Sequence, residues 1–197
     1  MTLEFPPFGA PKADARPSGK GIHAGEVPVE LIGTRLWASG LLDTRPFARL
    51  SDYANAMDGF CLLRGAALRT ESGESSRSRL DMHIRFEEVA LIAQTRAQPS
   101  RVASDVLVPK RAHRLLFVTP SLMISGQAYL HEQGSLDAFI EALDPRFIPL
   151  TRVAAQWLSG APVGRFPFAL LKRSQIIGVA AAPKRAARRA ASEEAAS

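Results

Sequence analysis

The sequence predicts a mainly β protein with short helices (α+β), in which two tandem small barrel-like β-β-α-β-β units lie between flexible N- and C-terminal arms. Apolar runs rich in β-forming residues alternate with short turns along most of the chain, which is typical of small β-rich units. The pattern of residues 28–95 also recurs in residues 113–182. Because an internal repeat determines the whole architecture, we expect two units of the same fold.

Residues 1–27 and 183–197 are predicted to be irregular arms. The first arm holds four prolines and four glycines without a lasting apolar period, and the second is an Ala- and Arg-rich tail with no large apolar side chain to bury. The N-terminus also lacks the basic start, apolar run and cleavage site of a secretory signal, so we expect a cytoplasmic location.

Each unit begins with a predicted β-hairpin. Residues 29–36 and 115–118 are apolar runs, and each is followed by a turn and a second strand. Gly40 in the second strand of the first unit aligns with Gly126 at an offset of 86 residues, and the offset continues without a gap into the next element. The two hairpins should therefore have the same structure.

A short amphipathic helix is predicted after each hairpin. Residues 49–57 and 135–143 place apolar side chains three and four positions apart, and Ser135 is a good N-cap. An Asp-Gly pair ends the first helix and an Asp-Pro pair ends the second, since both pairs turn the chain. An apolar strand then begins at Phe60 and at Phe147.

The last strands of the two units are also similar, because residues 89–92 resemble residues 168–171. The first unit differs by a longer polar loop between its last two strands. Strands this short, with so small a helix, can bury an apolar face only by curling into a small barrel or by packing on the other unit. We therefore expect two small barrels joined by a basic connector at residues 96–112.

This order of elements carries a resemblance to a known group of proteins. With Gly40 in the second strand, a Leu-Ser-Asp-Tyr helix start at residues 50–53 and a Phe-x-x-Leu strand from Phe60, the chain resembles uncharacterised bacterial proteins with tandem small Sm-like β-barrels. The resemblance implies five-stranded, strongly bent sheets that assemble through strand edges. It implies no binding residue, because the RNA-contact signature of Sm proteins occurs at no matching position.

The formal charge of +6 and the pI near 10.1 permit an anionic partner. Basic residues are dense in the connector and in the tail. Solvation of a linker is the favoured interpretation, because no aromatic residue is interleaved there for base stacking. The alternative is contact with nucleic acid or another anionic partner through Arg96, Arg101, Lys110, Arg111, Arg114, Lys184, Arg185, Arg188 and Arg189.

No motif for catalysis, metal binding or cofactor binding is found. The four histidines are too scattered for a metal site, and neither a Walker motif, a dinucleotide fingerprint nor a G-x-S-x-G elbow occurs. The single cysteine, Cys61, lies between apolar neighbours and is expected to be a buried thiol. We therefore expect a protein that is not an enzyme and that has no cofactor and no metal.

Three hypotheses of function follow, the first being an adaptor or structural subunit that binds a protein partner or forms a homo-oligomer, with Trp157 as a candidate interface residue. The second is nucleic-acid binding through the basic residues named above. The third is a small-ligand sensor, because Arg45 and Arg49 resemble the arginine pair of PilZ barrels, although residues 71–73 depart from the second PilZ motif. Membrane insertion is not expected, since no apolar run is long enough.

Overall fold

The computed structural model describes residues 25–72, 74–76, 78–96, 110–131, 136, 139 and 145–182. The α-helix α1 spans Leu50–Ala56, and two short 3-10 helices lie at Phe86–Glu88 and Arg173–Gln175. The strands are β1 Glu26–Ile32, β2 Trp37–Asp43, β3 Phe60–Leu68, β4 Leu80–Arg85, β5 Leu91–Gln94, β6 Lys110–Val118, β7 Leu122–His131, β8 Phe147–Trp157, β9 Pro162–Lys172 and β10 Gly178–Ala181.

All ten strands belong to one antiparallel sheet with the order β10-β6-β7-β8-β9-β5-β1-β2-β3-β4. The prediction of two tandem barrels with β-β-α-β-β units is therefore wrong. The reason is that β9 pairs with β5 over residues 168–171 and 91–94, so the strands of the two halves form one continuous ladder. Among the described residues the sheet is not closed, because β4 and β10 lie at its two ends and each pairs with one neighbouring strand.

The internal repeat nevertheless has a structural counterpart. The first half, residues 25–96, has the strand order β5-β1-β2-β3-β4, and the second half, residues 110–182, has the matching order β10-β6-β7-β8-β9. The β2–β3 register shifts at Gly40 and the β7–β8 register shifts at Gly126, so the aligned glycines occupy equivalent bulges. A Cβ on Gly40 would lie 2.8 Å from the carbonyl oxygen of Arg64, so this position requires glycine.

One part of the sequence alignment is wrong. Residues 89–92 were expected to match residues 168–171, but these segments contribute to β5 and β9, which are neighbours in the sheet and not equivalents. The equivalent of β5 is β10, because each strand follows a 3-10 helix and pairs with the first strand of its half. The hairpins β3–β4 and β8–β9 span the same number of residues. The longer polar loop of the first half therefore occupies positions that belong to strands in the second half, and it is not an insertion.

The predicted helix at residues 49–57 contains α1, which buries Leu50, Tyr53 and Ala54 on one face. Of the second predicted helix, at residues 135–143, the structure describes Leu136 and Phe139, which are helical and pack against the second half. The first strand starts at Glu26, within the predicted N-terminal arm, and β6 starts at Lys110, within the predicted connector.

Two hydrophobic cores lie on opposite faces of the sheet at its centre. Side chains of a strand point alternately to the two faces, and in β5 Leu91 and Ala93 belong to the core of the second half while Ile92 belongs to the core of the first half. All four residues of β5 are buried. Each half thus contributes to the core of the other, which makes the sheet continuous in packing as well as in hydrogen bonding.

Candidate interaction site at the open edges of the sheet

The junction between the halves shows how two edges of this sheet join. The register pairs Leu91 with Leu171 and Ile92 with Leu170. The backbone N–H of Lys172 also donates to the carbonyl oxygen of Ala90 at 2.8 Å. This junction is a complete antiparallel ladder between the fourth strand of one half and the fifth strand of the other.

A cluster of charged side chains holds the same junction. Lys172, whose side chain is 3% exposed, donates from Nζ to the carbonyl oxygens of Phe86 at 3.3 Å and Glu87 at 2.9 Å, and to Oε2 of Glu87 at 2.9 Å. Arg146 contacts the carboxylates of Glu87 and Asp58. Cations from the second half thus satisfy carbonyl and carboxylate oxygens of the first half.

The electrostatics of Glu87 follow from this arrangement. The hydrogen bond and the charge of Lys172, with a smaller contribution from Arg146, hold the pKa of the Glu87 carboxyl below its ordinary value of 4.5. An open cleft of about 460 Å³ lies beside the cluster, lined by Glu87, Arg146, Lys172, Arg173, Ser174 and Ile176. Because Lys172 and Arg146 are each already bonded to Glu87, these side chains of the cleft form a structural contact between the halves.

The open edge at β4 carries apolar surface. Phe60 on β3, directly opposite Arg85 of β4, is 54% exposed, and the Arg85 guanidinium lies 5.6 Å from the centre of its ring. Leu80, the first residue of β4, is also exposed. The two exposed side chains lie at opposite ends of the β3–β4 pair. Exposed apolar side chains beside an unpaired strand favour contact with another chain, because such an edge is a template for another strand.

The backbone of β4 has unpaired groups that face outward. Hydrogen bonds alternate in direction along an antiparallel strand, and the N–H of Phe86 donates to the carbonyl oxygen of Gly59 at 2.8 Å. This bond sets the alternation, so the N–H groups of His83 and Arg85 point away from β3 toward the open side.

The opposite edge, β10, is short and uncharged, with the sequence Gly-Val-Ala-Ala. It pairs with β6, and the N–H of Ala182 donates to the carbonyl oxygen of Arg114 at 2.9 Å. By the same alternation, the N–H and C=O groups of Val179 and Ala181 point to the open side. Ile177, which directly precedes the strand, is 68% exposed.

No protein-family model, curated protein or solved structure matches the chain. The resemblance to Sm-like proteins therefore stays a prediction. Among the described residues, no helix has the length and apolar character that crossing a bilayer requires. In the same part of the chain, no group of three or more His, Cys, Asp or Glu side chains could hold a metal ion.

The predicted basic contact residues are not gathered into one described surface. Arg96 is exposed just after β5, and Arg111 and Arg114 are exposed on β6, where their spacing of three places them on opposite faces of the strand. Lys110 is the first residue of β6. The other predicted positions lie outside the described residues: Arg101, Lys184, Arg185, Arg188 and Arg189.

Trp157, the predicted interface residue, is buried at the end of β8. Its ring lies edge-on to that of Trp37, with the ring centres 5.9 Å apart. Trp157 thus packs against the other half of the same chain, in the core of the second half, and its side chain is not available on the surface.

Arg45 and Arg49 are the arginine pair that was considered for binding a small ligand. Arg45 donates to both carboxylate oxygens of Asp43, at 2.9 and 2.6 Å, and this contact holds the pKa of Asp43 well below its ordinary range. Arg49 is the N-cap residue of α1 and makes no side-chain capping bond. Arg45 is therefore engaged within the chain.

Two buried polar residues, Glu30 and Lys172, were not predicted from the sequence. Glu30 accepts hydrogen bonds from Nε1 of Trp37 at 3.0 Å and from Nη1 of Arg69 at 2.9 Å, between β1, β2 and the residue after β3. Lys172 was also missed. A signal for Lys172 existed, since a single charge ends the apolar run of residues 168–171, and a charge at the end of a buried strand needs a partner.

Proposed function

We propose that the chain is a non-enzymatic structural subunit that binds other protein through the open edges of its sheet. The observation that carries the proposal is that, in the part of the chain that the structure describes, the edges β4 and β10 have no second strand beside them, and each has outward N–H and C=O groups and exposed apolar side chains nearby. An open strand edge binds another strand through its main chain, and neighbouring apolar side chains add affinity.

The two edges lack much of the protection that natural edges carry. Charged residues, proline, bulges and very short strands are the usual devices that keep an edge from pairing; of these, β10 has its short length and β4 lies beside a bulge between Leu63 and Ala66 of β3. Strand β10 has no charged residue and no proline. On β4, the charge of Arg85 lies over the ring of Phe60 and leaves the backbone edge open, and the carboxylate of Asp81 is turned back to accept from the N–H of Gly65 at 2.8 Å.

The electrostatics of the described residues also fit a structural role. The charged groups that lie together form ion pairs with one another, as Lys172 does with Glu87 and Arg64 with Glu26. Side chains that are held by partners in this way serve as structural contacts between strands and between halves.

The test uses the full chain as bait in a lysate of its source cells. The variants His83→Pro and Val179→Pro remove an outward N–H from β4 and from β10 without removing a hydrogen bond inside the chain, because proline is tolerated where its missing N–H faces solvent. We expect a bound protein to be lost from one or both variants and retained by His83→Ala and Val179→Ala, which keep the N–H. Capture that is equal for all four variants would contradict the proposal.

A further inference from the structure

We infer that the partner of the β4 edge is the β10 edge of a second copy of this chain. The inference rests on the proposed function and names its partner. The two strands pair antiparallel and repeat, between copies, the ladder that β9 and β5 form within one chain. The register that follows pairs Gly178 with Ile84, Val179 with His83, Ala180 with Met82 and Ala181 with Asp81.

The first step is topological. Within each half the fourth strand is β4 or β9, and the fifth strand is β5 or β10. The internal junction uses one fourth strand, β9, and one fifth strand, β5. The strands left open are the other fourth strand and the other fifth strand, so each chain carries the two complementary sides of the same junction at its two ends.

The second step is the backbone geometry of β10. The N–H of Ala90 donates to Ile32 at 2.8 Å, and its equivalent in the second half, Ile177, donates to Val118 at 2.9 Å. At the other end of the strand, Thr95 and Ala182 make a second matched pair of bonds, to Pro28 and Arg114. Strand β10 therefore pairs with β6 in the same way that β5 pairs with β1. The outward N–H and C=O groups of β10 stand at the positions equivalent to those by which β5 pairs with β9 inside the chain.

The third step is the exposure of apolar side chains. Phe147 opens β8 and is 0% exposed, because the first half covers it with Phe86, whose ring centre lies 5.4 Å away. Phe60, which opens β3 at the equivalent position, is 54% exposed. Ala90 is buried at the junction, whereas its equivalent Ile177 is 68% exposed. A second copy in this register would cover Phe60 and Ile177 together.

The fourth step is charge, which sets the strength of the contact between copies. Lys172 and Glu87 form the ion pair of the internal junction, and the equivalent positions are Arg85 and Ser174. The contact between copies therefore lacks this buried ion pair. We expect it to be weaker than the junction between the halves and to depend on protein concentration.

The contact is head to tail, because one copy offers β4 and the other offers β10. A contact of this kind builds closed rings or extended chains of copies and leaves no preference for a symmetric β4–β4 or β10–β10 pair. This asymmetry gives a specific test.

The experiment measures molar mass by light scattering over a range of concentrations, on the full chain and on the variants. We expect the unaltered protein to form oligomers, and His83→Pro and Val179→Pro each to be monomeric. Mixed together, the two variants should form a dimer and nothing larger, because His83→Pro keeps its β10 and Val179→Pro keeps its β4. Dimers of either variant alone would indicate symmetric pairing and would overturn the inference.

The register is tested by disulfide formation, which does not depend on proline variants. In a Cys61→Ala background, a chain with Met82→Cys is mixed with a chain that has Ala180→Cys and oxidised. We expect a cross-linked dimer, and much less of it when Val179→Cys replaces Ala180→Cys, since a one-residue shift turns the side chain to the other face. Equal yields from both mixtures would overturn the register.

The failures are distinguishable. A monomeric protein whose capture of another protein is lost in His83→Pro overturns the second copy as partner and leaves the proposed function standing. If the protein is monomeric and its binding of other proteins is unchanged in both proline variants, the inference and the proposed function are both overturned.

Discussion

Replacing Lys172 by methionine tests how the halves are held together. The Nζ group makes three hydrogen bonds to the first half, two of them to the backbone carbonyl oxygens of Phe86 and Glu87. Methionine fills similar volume but leaves those two carbonyl oxygens and Oε2 of Glu87 without the Lys172 donor, while Arg146 still contacts Oε1 of Glu87. Removing one partner of a buried charged contact costs more than removing both. We expect the free energy of unfolding to fall by about 2–4 kcal/mol.

The measurement is urea unfolding followed by tryptophan fluorescence at neutral pH. The repeat offers a matched control, because Arg85 occupies the equivalent position in the first half and is exposed. Its contact with Phe60 is a cation–π contact at the surface, so Arg85→Met should cost about 1 kcal/mol or less. If Lys172→Met were as stable as Arg85→Met, Lys172 would not hold the junction.

Three further predictions concern single positions. Gly40→Ala should lower the free energy of unfolding by about 1–3 kcal/mol, and Gly126→Ala should lower it less. The reason is that the nearest atom to the new Cβ is 2.8 Å away at Gly40 and 3.3 Å away at Gly126. Equal losses of stability in urea unfolding would contradict this prediction. The lowered pKa of Glu87 stabilises the fold above pH 4.5 and this contribution is lost as the pH falls through the folded-state pKa. Acid titration should therefore cost the unaltered protein more stability than Glu87→Gln, and parallel curves would refute the assignment. Burial raises the pKa of the Cys61 thiol to about 11, so a thiol reagent at pH 8 should label it slowly in the folded chain and rapidly in urea, whereas rapid labelling without urea would show the thiol to be accessible.

The local elements could be predicted because their signals are local. Residues 49–57 have helical spacing and contain α1, and the aligned Gly40 and Gly126 both occupy a bulge in the second strand of their half. Phe60 and Phe147 both open the expected strands. Spacing, turn residues and glycine positions are set by a few neighbouring residues, so the sequence reports them directly.

The arrangement of the sheet could not be predicted in the same way. The pairing of Leu91 with Leu171 joins residues far apart in the chain, and no periodic pattern encodes such a partner. One signal was present in the sequence, since residues 89–92 and 168–171 are apolar without alternation. Strands that are buried on both faces have continuous apolar sequences of this kind. A strand covered on both faces lies inside a sheet, which favours the continuous sheet over two closed barrels.

The open edges of the sheet were not among the residues predicted for contact. Association through strand edges was expected from the resemblance, whereas the residues named for contact were Trp157 and the basic side chains. Tryptophan and arginine are common at interfaces, but Trp157 is buried against Trp37. Exposed edges depend on which strands remain unpaired after folding, and this follows only from the complete topology.

The shared strand β5 also has a consequence for synthesis of the chain. The ribosome completes the first half before β9 exists, so at that stage Leu91 and Ala93 lack the second-half side chains of the core to which they belong, and only Ile32 and Trp37 of that core are present. This apolar surface stays partly exposed until Leu171 has been made. The nascent first half is then an aggregation-prone intermediate, and we expect a chain truncated after residue 96 to require a chaperone to stay in solution.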